Sequence, residues 1–164
     1  MRETKITQPL TMSEKEYWSL VFDREYNLAL YKHVGCKNYR IVDLQETPRE
    51  TFYTAVTEPD LSELPLALQL VVAQYAEYTE RGVFNKASRI YSFRTTAMGG
   101  KIVSEGRMFC ALSSGDKRPG GLTRTIEIRV MADVPFGGAV EDKILEGLVK
   151  SWQKGAEFTN RYAR

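Results

Sequence analysis

His33 is the only histidine in the chain, and so the natural general base near neutral pH. It stands beside Lys32 near the end of a predicted helix, with no acidic or nucleophilic neighbour to work with. An exposed helix-end imidazole is therefore the expected reading. Cys110 follows Met108 and Phe109 in a strand-like run, and a thiol becomes a nucleophile only beside a base, so a buried, inert cysteine is expected there. No Ser/His/Asp set, HExxH motif or acidic metal cluster is present in the sequence, so no catalytic residue, metal site or cofactor is expected. The remaining groups able to move protons inside a fold are Tyr53, Tyr78, Tyr91 and Glu105. They matter only if two of them converge. Arg89, Arg94, Arg107, Arg124 and Arg129 are spread over the later strand-like runs, and on alternation most face solvent. An inward arginine would indicate an anionic group on a ligand.

Three glycine pairs could serve a phosphate or a hinge. Gly99-Gly100 and Gly120-Gly121 read as turn glycines. Gly137-Gly138 falls where a long helix should begin, so it permits a tight strand-to-helix turn or, as the sharper alternative, a hinge that opens a portal. The pair lacks GxGxxG or GxxxxGK spacing, which argues against a phosphate cradle.

These groups need a scaffold, and the last thirty residues organise it. From Val134 onward, Val140, Ile144, Leu148, Trp152 and Ala156 recur at helical spacing, widened by Leu145 and Val149. Such a helix would be on the order of 35–40 Å long and needs a broad apolar surface to lie on. Gly147 and Gly155 inside it let it approach that surface closely or leave space beside it. The surface comes from the middle of the chain. NYRIVDLQET and ETFYTAVTE flank Pro48-Arg49 as a hairpin, and AEYTERGVF and SRIYSFRTTA flank a turn at Asn85-Lys86. KIVSEGRMFCAL and LTRTIEIRVMAD complete the set, with Ile126, Ile128 and Val130 facing in and Glu127 and Arg129 out. Residues 3–10 add an opening strand. Ser13 with Glu16 forms a capping box for a first helix, Asp23 caps a second, and Gly35 ends it. Between the second and third of these six runs, Pro65 opens a short helix aligning Leu64, Leu68, Val71 and Tyr75. The apolar run 64–73 is core, or else a lid over a cavity mouth or a surface that touches membrane.

Residues 1–164 read as one domain, long enough to bury a core. A net charge of +2 with scattered basic residues argues against nucleic acid. Two cysteines, Cys36 and Cys110, without metal-ligand spacing suggest a reducing compartment, and no stretch reaches the ~20 apolar residues of a membrane span. A soluble, cytoplasmic protein is expected.

SEKEYWSLVFDREYNLALYKHVG, YTERGVF with RIYSF, and DVPFGGAVEDKILEGLVKSWQKGAEFTNRY together resemble the START-like, or Bet v 1-like (SRPBCC), superfamily. The last stretch is similar to a START-like subfamily without an assigned activity. The resemblance implies an α+β helix-grip fold: about seven antiparallel strands, in the order β-α-α-β…β-α, curved around the C-terminal helix. It also implies an apolar cavity between sheet and helix. The expected occupant is a hydrophobic small molecule (a lipid, sterol or isoprenoid) that is carried or sensed, with transient membrane contact as a further partner. The residues expected to line the site are Phe52, Leu68, Tyr91, Phe93, Met108, Ile128, Leu145, Leu148 and Trp152. The same superfamily hosts polyketide cyclases and aromatases, so an enzyme acting on an apolar substrate in that cavity is the alternative. A third reading, an interaction module, would need an apolar outer sheet face.

Overall fold

The computed structural model describes residues 1–59, 62, 65, 66, 69, 70, 77–112 and 121–162. Strand β1 (Arg2–Leu10) is followed by helices α1 (Glu14–Val21) and α2 (Arg24–His33). Six strands come next: β2 (Lys37–Glu46), β3 (Glu50–Glu58), β4 (Tyr78–Asn85), β5 (Ile90–Ala97), β6 (Ile102–Leu112) and β7 (Leu122–Ala132). Helix α3 (Gly137–Tyr162) closes the order.

All seven strands form one antiparallel sheet, β1-β7-β6-β5-β4-β3-β2. Each hairpin connection places sequence neighbours side by side, and β1 pairs with the last strand, Ile6 opposite Ile126. Register shifts between Lys37/Arg40 and Ile41/Asp43 mark irregular pairing of β2 with β3, the kind of break that bends an edge strand. This is the helix-grip architecture expected from the sequence. Leu66, Gln69 and Leu70 are helical, with the Gln69 N–H donating to the Pro65 carbonyl at 3.0 Å. Leu64, Leu68, Val71, Tyr75 and Gly120 lie outside the described residues.

Local chemistry sets the helix ends. The Ser13 hydroxyl accepts from the Glu16 N–H, and Glu16 accepts from the Ser13 N–H at 2.8 Å, a complete capping box. Asp23 accepts from the Tyr26 N–H at 2.7 Å to open α2. Gly35, with φ 91°, sits just past its end. At the start of α3 the residue with positive φ is Phe136 (59°), not a glycine. Gly137 is needed for a different reason: a Cβ there would collide with the Ala132 carbonyl oxygen, whereas one on Gly138 would meet nothing.

The core lies between the concave face of the sheet and the three helices. Met108, Ile126, Ile128 and Val130 are buried on that face, and Tyr17 and Trp18 cover it from α1. Tyr26 of α2 bonds Thr159 of α3 through their hydroxyls at 2.6 Å, tying the two helices together at the far end. The convex face carries ion pairs instead. Arg94 and Arg129 both reach Glu105, and Arg107 reaches Glu127 at 2.6 Å.

Candidate functional site: a cavity between sheet and terminal helix

Alternation on a strand decides which residues meet α3. Across the concave face the register aligns Glu80, Thr95, Ser104 and Val130 in one transverse row. Ala55 continues the row on β3. The next row is Tyr53, Gly82, Phe93, Gly106 and Ile128. Two glycines in that row remove side chains from the middle of the sheet. A Cβ on Gly82 would collide with the Tyr91 ring, which leans across from the following row.

Between these rows and α3 lies a cavity of about 350 Å³. Its apolar wall includes Leu30 and Val34 of α2, Phe93, Ile102 and Ile128 of the sheet, and Ile144, Leu148 and Trp152 of α3. Lys143, Glu146 and Lys150 stand at its rim, exposed and paired, Lys143 to Glu146 at 2.8 Å and Lys150 to Glu146 at 3.3 Å. Gly147 borders the cavity, with open space where a Cβ would stand, while Gly155 lets Leu30 approach α3. The two helix glycines thus divide the roles that the sequence left open between them.

Two polar features interrupt the apolar wall. The first is centred on Glu80, whose carboxylate accepts from the Tyr91 hydroxyl at 2.6 Å. Tyr31 hydrogen-bonds it as well. Glu80 faces the cavity, walled by protein, and loss of water raises its carboxyl above the ordinary range; the two tyrosine hydrogen bonds only partly offset this. Tyr53 and Tyr39 are bonded hydroxyl to hydroxyl beside this group, and Tyr78 bonds the Cys36 thiol. Burial pushes all four of Tyr39, Tyr53, Tyr78 and Tyr91 upward, so each stays a neutral phenol.

The second is Arg124 of β7, only 3% exposed. It lies opposite Gln8 of β1, and its Nε donates to the Gln8 side-chain oxygen at 3.1 Å. One Nη donates to the Tyr17 hydroxyl at 3.0 Å and the other to the Trp152 carbonyl at 3.4 Å. The guanidinium also lies 5.6 Å from the Tyr17 ring centre and 5.0 Å from that of Trp152. Arg124 is the inward arginine of the five.

The structure distributes the residues expected at the site. Phe93, Ile128, Leu148 and Trp152 line the cavity. Tyr91 and Met108 are buried one row deeper in the core, and Leu145 is half-buried against it. Phe52 is a correction: it is 37% exposed, because Tyr53 and Ala55 hold the buried parity of β3 and a one-residue slip moves a side chain to the other face. Trp152 is half-buried, packed against the core and over Arg124 of β7. Among the proton-transfer candidates, Tyr53, Tyr78 and Tyr91 gather around Glu80, whereas Glu105 belongs to the convex face, held by Arg94 and Arg129. His33 is exposed at the end of α2 beside the Phe158 ring. The Cys110 thiol is pushed up to about 12 by burial and stays protonated. Glu80 and Arg124 were not singled out from the sequence, yet each shares the inward parity of its strand, Glu80 with Phe84 and Arg124 with Ile126.

Solved structures share this arrangement over almost the whole chain. The Zhui aromatase/cyclase from a Streptomyces species superposes with a TM-score of 0.64 at 13% identity, covering 99% of this chain and 93% of that one. An 18 kDa protein from Caulobacter crescentus gives 0.60 at 15% identity, covering 98% and 95%. A START superfamily protein from Mycobacterium smegmatis gives 0.54 at 14% identity, covering 94% and 97%. At such identities the likeness is one of fold, and the fold is START-like. Comparison with curated proteins finds no match. In sequence, residues 5–163 match the model of a family described as "Protein of unknown function (DUF2505)".

Proposed function

The chain belongs to the DUF2505 family, and we propose that it binds a hydrophobic small molecule in the cavity between the sheet and α3, as a carrier or sensor. The observation that carries this reading is the cavity of about 350 Å³, within the range of small-molecule sites and walled mainly by apolar side chains. A core built only for stability would fill that volume, since a void forfeits dispersion contacts on every side. Gly147, with open space where a Cβ would stand, borders it without filling it, and the charged rim of α3 keeps its margin wetted. Lipids, sterols and isoprenoids are the ligand classes with matching surface chemistry. The test is native mass spectrometry of the purified protein, followed by titration with a panel of fatty acids, sterols and isoprenoid alcohols. One ligand per chain with saturable binding supports the reading; no binding by any class overturns it.

A second reading is favoured by one observation, the Glu80 carboxyl held at 2.6 Å from the Tyr91 hydroxyl at the cavity wall. Burial raises that carboxyl and so favours its acid form, which is the form a general acid needs, so the pair could serve a cyclisation of an apolar substrate, like an aromatase/cyclase. Glu80→Gln separates the two: a carrier keeps its ligand affinity, whereas an enzyme keeps binding and loses turnover.

A further inference from the structure

We infer that the ligand is an acid, an apolar molecule ending in one carboxylate that docks at Arg124; this rests on the binding reading above. Burying a cation without a counter-ion is costly, and proteins ordinarily pair such charges. Six other arginines, at 2, 40, 89, 94, 107 and 129, have carboxylate partners, and all of them are exposed. Arg124, the buried one, has none among the described residues. Its partners are a carboxamide oxygen, a phenol and a backbone carbonyl, all neutral. These account for four of its five N–H donors, counting the second bond to Gln8 from Nη2, and leave one on Nη1.

That constellation holds the guanidinium rigid between the Tyr17 and Trp152 rings and leaves its charge uncompensated. The residue that covers it, Trp152, also lines the cavity, as does Arg124 itself. A carboxylate entering with an apolar tail brings the missing charge to the site while the tail fills the remaining volume. One negative charge suffices. A phosphate monoester carries nearly two, and the nearest further cations along the cavity, Lys143 and Lys150, already share Glu146 at the rim.

The experiment is calorimetric or fluorescence titration of the full chain with two matched pairs, laurate against dodecanol and retinoic acid against retinol, with dodecyl phosphate as a further arm. At least one acid is expected to bind about tenfold or more tightly than its alcohol, the worth of a charge-assisted hydrogen bond. Arg124→Met should erase that preference. Because Arg124 also ties β1 to α1, a second variant guards against misfolding. Gln8→Glu places a carboxylate on the arginine's existing fork, keeps the cation, and should equally erase the preference. Equal binding of acid and alcohol by the wild type overturns the inference while leaving apolar binding intact. So does a preference that survives Gln8→Glu, or one for the phosphate over laurate. Binding of no member of either pair overturns the inference, and the reading beneath it falls as well only when the sterols of the wider panel also fail to bind.

Discussion

The guanidinium of Arg124 lies 5.0 Å from the centre of the Trp152 ring, so a buried cation on β7 is covered by the aromatic that lines the cavity from α3. The contact joins sheet, helix and cavity at one point. It also makes Trp152 part of the wall, unlike the solid core residues Met108 and Ile126 one row away.

Truncation at that point tests the phase of the helix. Trp152→Ala removes half-buried ring area and one face of the Arg124 sandwich, and should cost about 2–4 kcal/mol. Lys154→Ala, on the exposed side two residues along, should change stability by less than about 0.5 kcal/mol. Urea melts of the two variants check this. Equal midpoints would mean that α3 docks by another face.

Glu80 gives the protein a pH dependence of definite sign. Burial raises its carboxyl in the folded state, so the folded chain holds this proton more tightly than the unfolded one. Its favourable contribution is fully present below the unfolded glutamate range and is lost as pH rises through the folded value. Glu80→Gln does not titrate. The stability of the variant relative to wild type should therefore grow as pH is raised from roughly 4 to 8, by melts at matched ionic strength. A difference that shrinks with rising pH would show that the carboxylate is stabilised in place.

Gly137 and Gly138 look alike in sequence and should respond differently. Gly137→Ala drives a methyl into the Ala132 carbonyl and should lower the melting temperature clearly. Gly138→Ala meets open space and should be neutral or stabilising, by up to about 1 kcal/mol. Thermal melts and ligand titrations of both decide between a turn glycine and a hinge: a turn glycine separates the two melting temperatures, whereas a hinge would make the two substitutions alike in reducing ligand uptake.

Much of this fold was legible because its signals are local. The Ser13–Glu16 box, the Gly35 terminus and the Ile126–Ile128–Val130 alternation each follow from a few adjacent residues, and the structure contains all of them. The site was less legible because it depends on strand phase. Phe52 sits on a run, ETFYTAVTE, in which aromatic residues occupy both parities, so hydrophobicity alone does not choose its inner face. Arg124 shares the parity of Ile126, but its charge suggests solvent unless the neutral partners Gln8 and Tyr17 are seen beside it. Glu80 needs Tyr31 and Tyr91 for the same reason, and these lie far from it along the chain or across a hairpin. Cavity volume itself is the residue of packing between rows and appears in no single stretch.

The most direct test of the account is to fill the cavity from the helix side and read binding. Gly147→Leu introduces a side chain where nothing lies within 4 Å of a Cβ, and replaces a helix glycine that costs roughly 1 kcal/mol. The variant should be at least as stable as wild type in a denaturant melt. In the same titration panel it should bind the best apolar ligand about tenfold or more weakly, since volume taken by leucine is no longer available to the ligand. A stable Gly147→Leu protein that binds as tightly as wild type would place the ligand elsewhere and contradict the account.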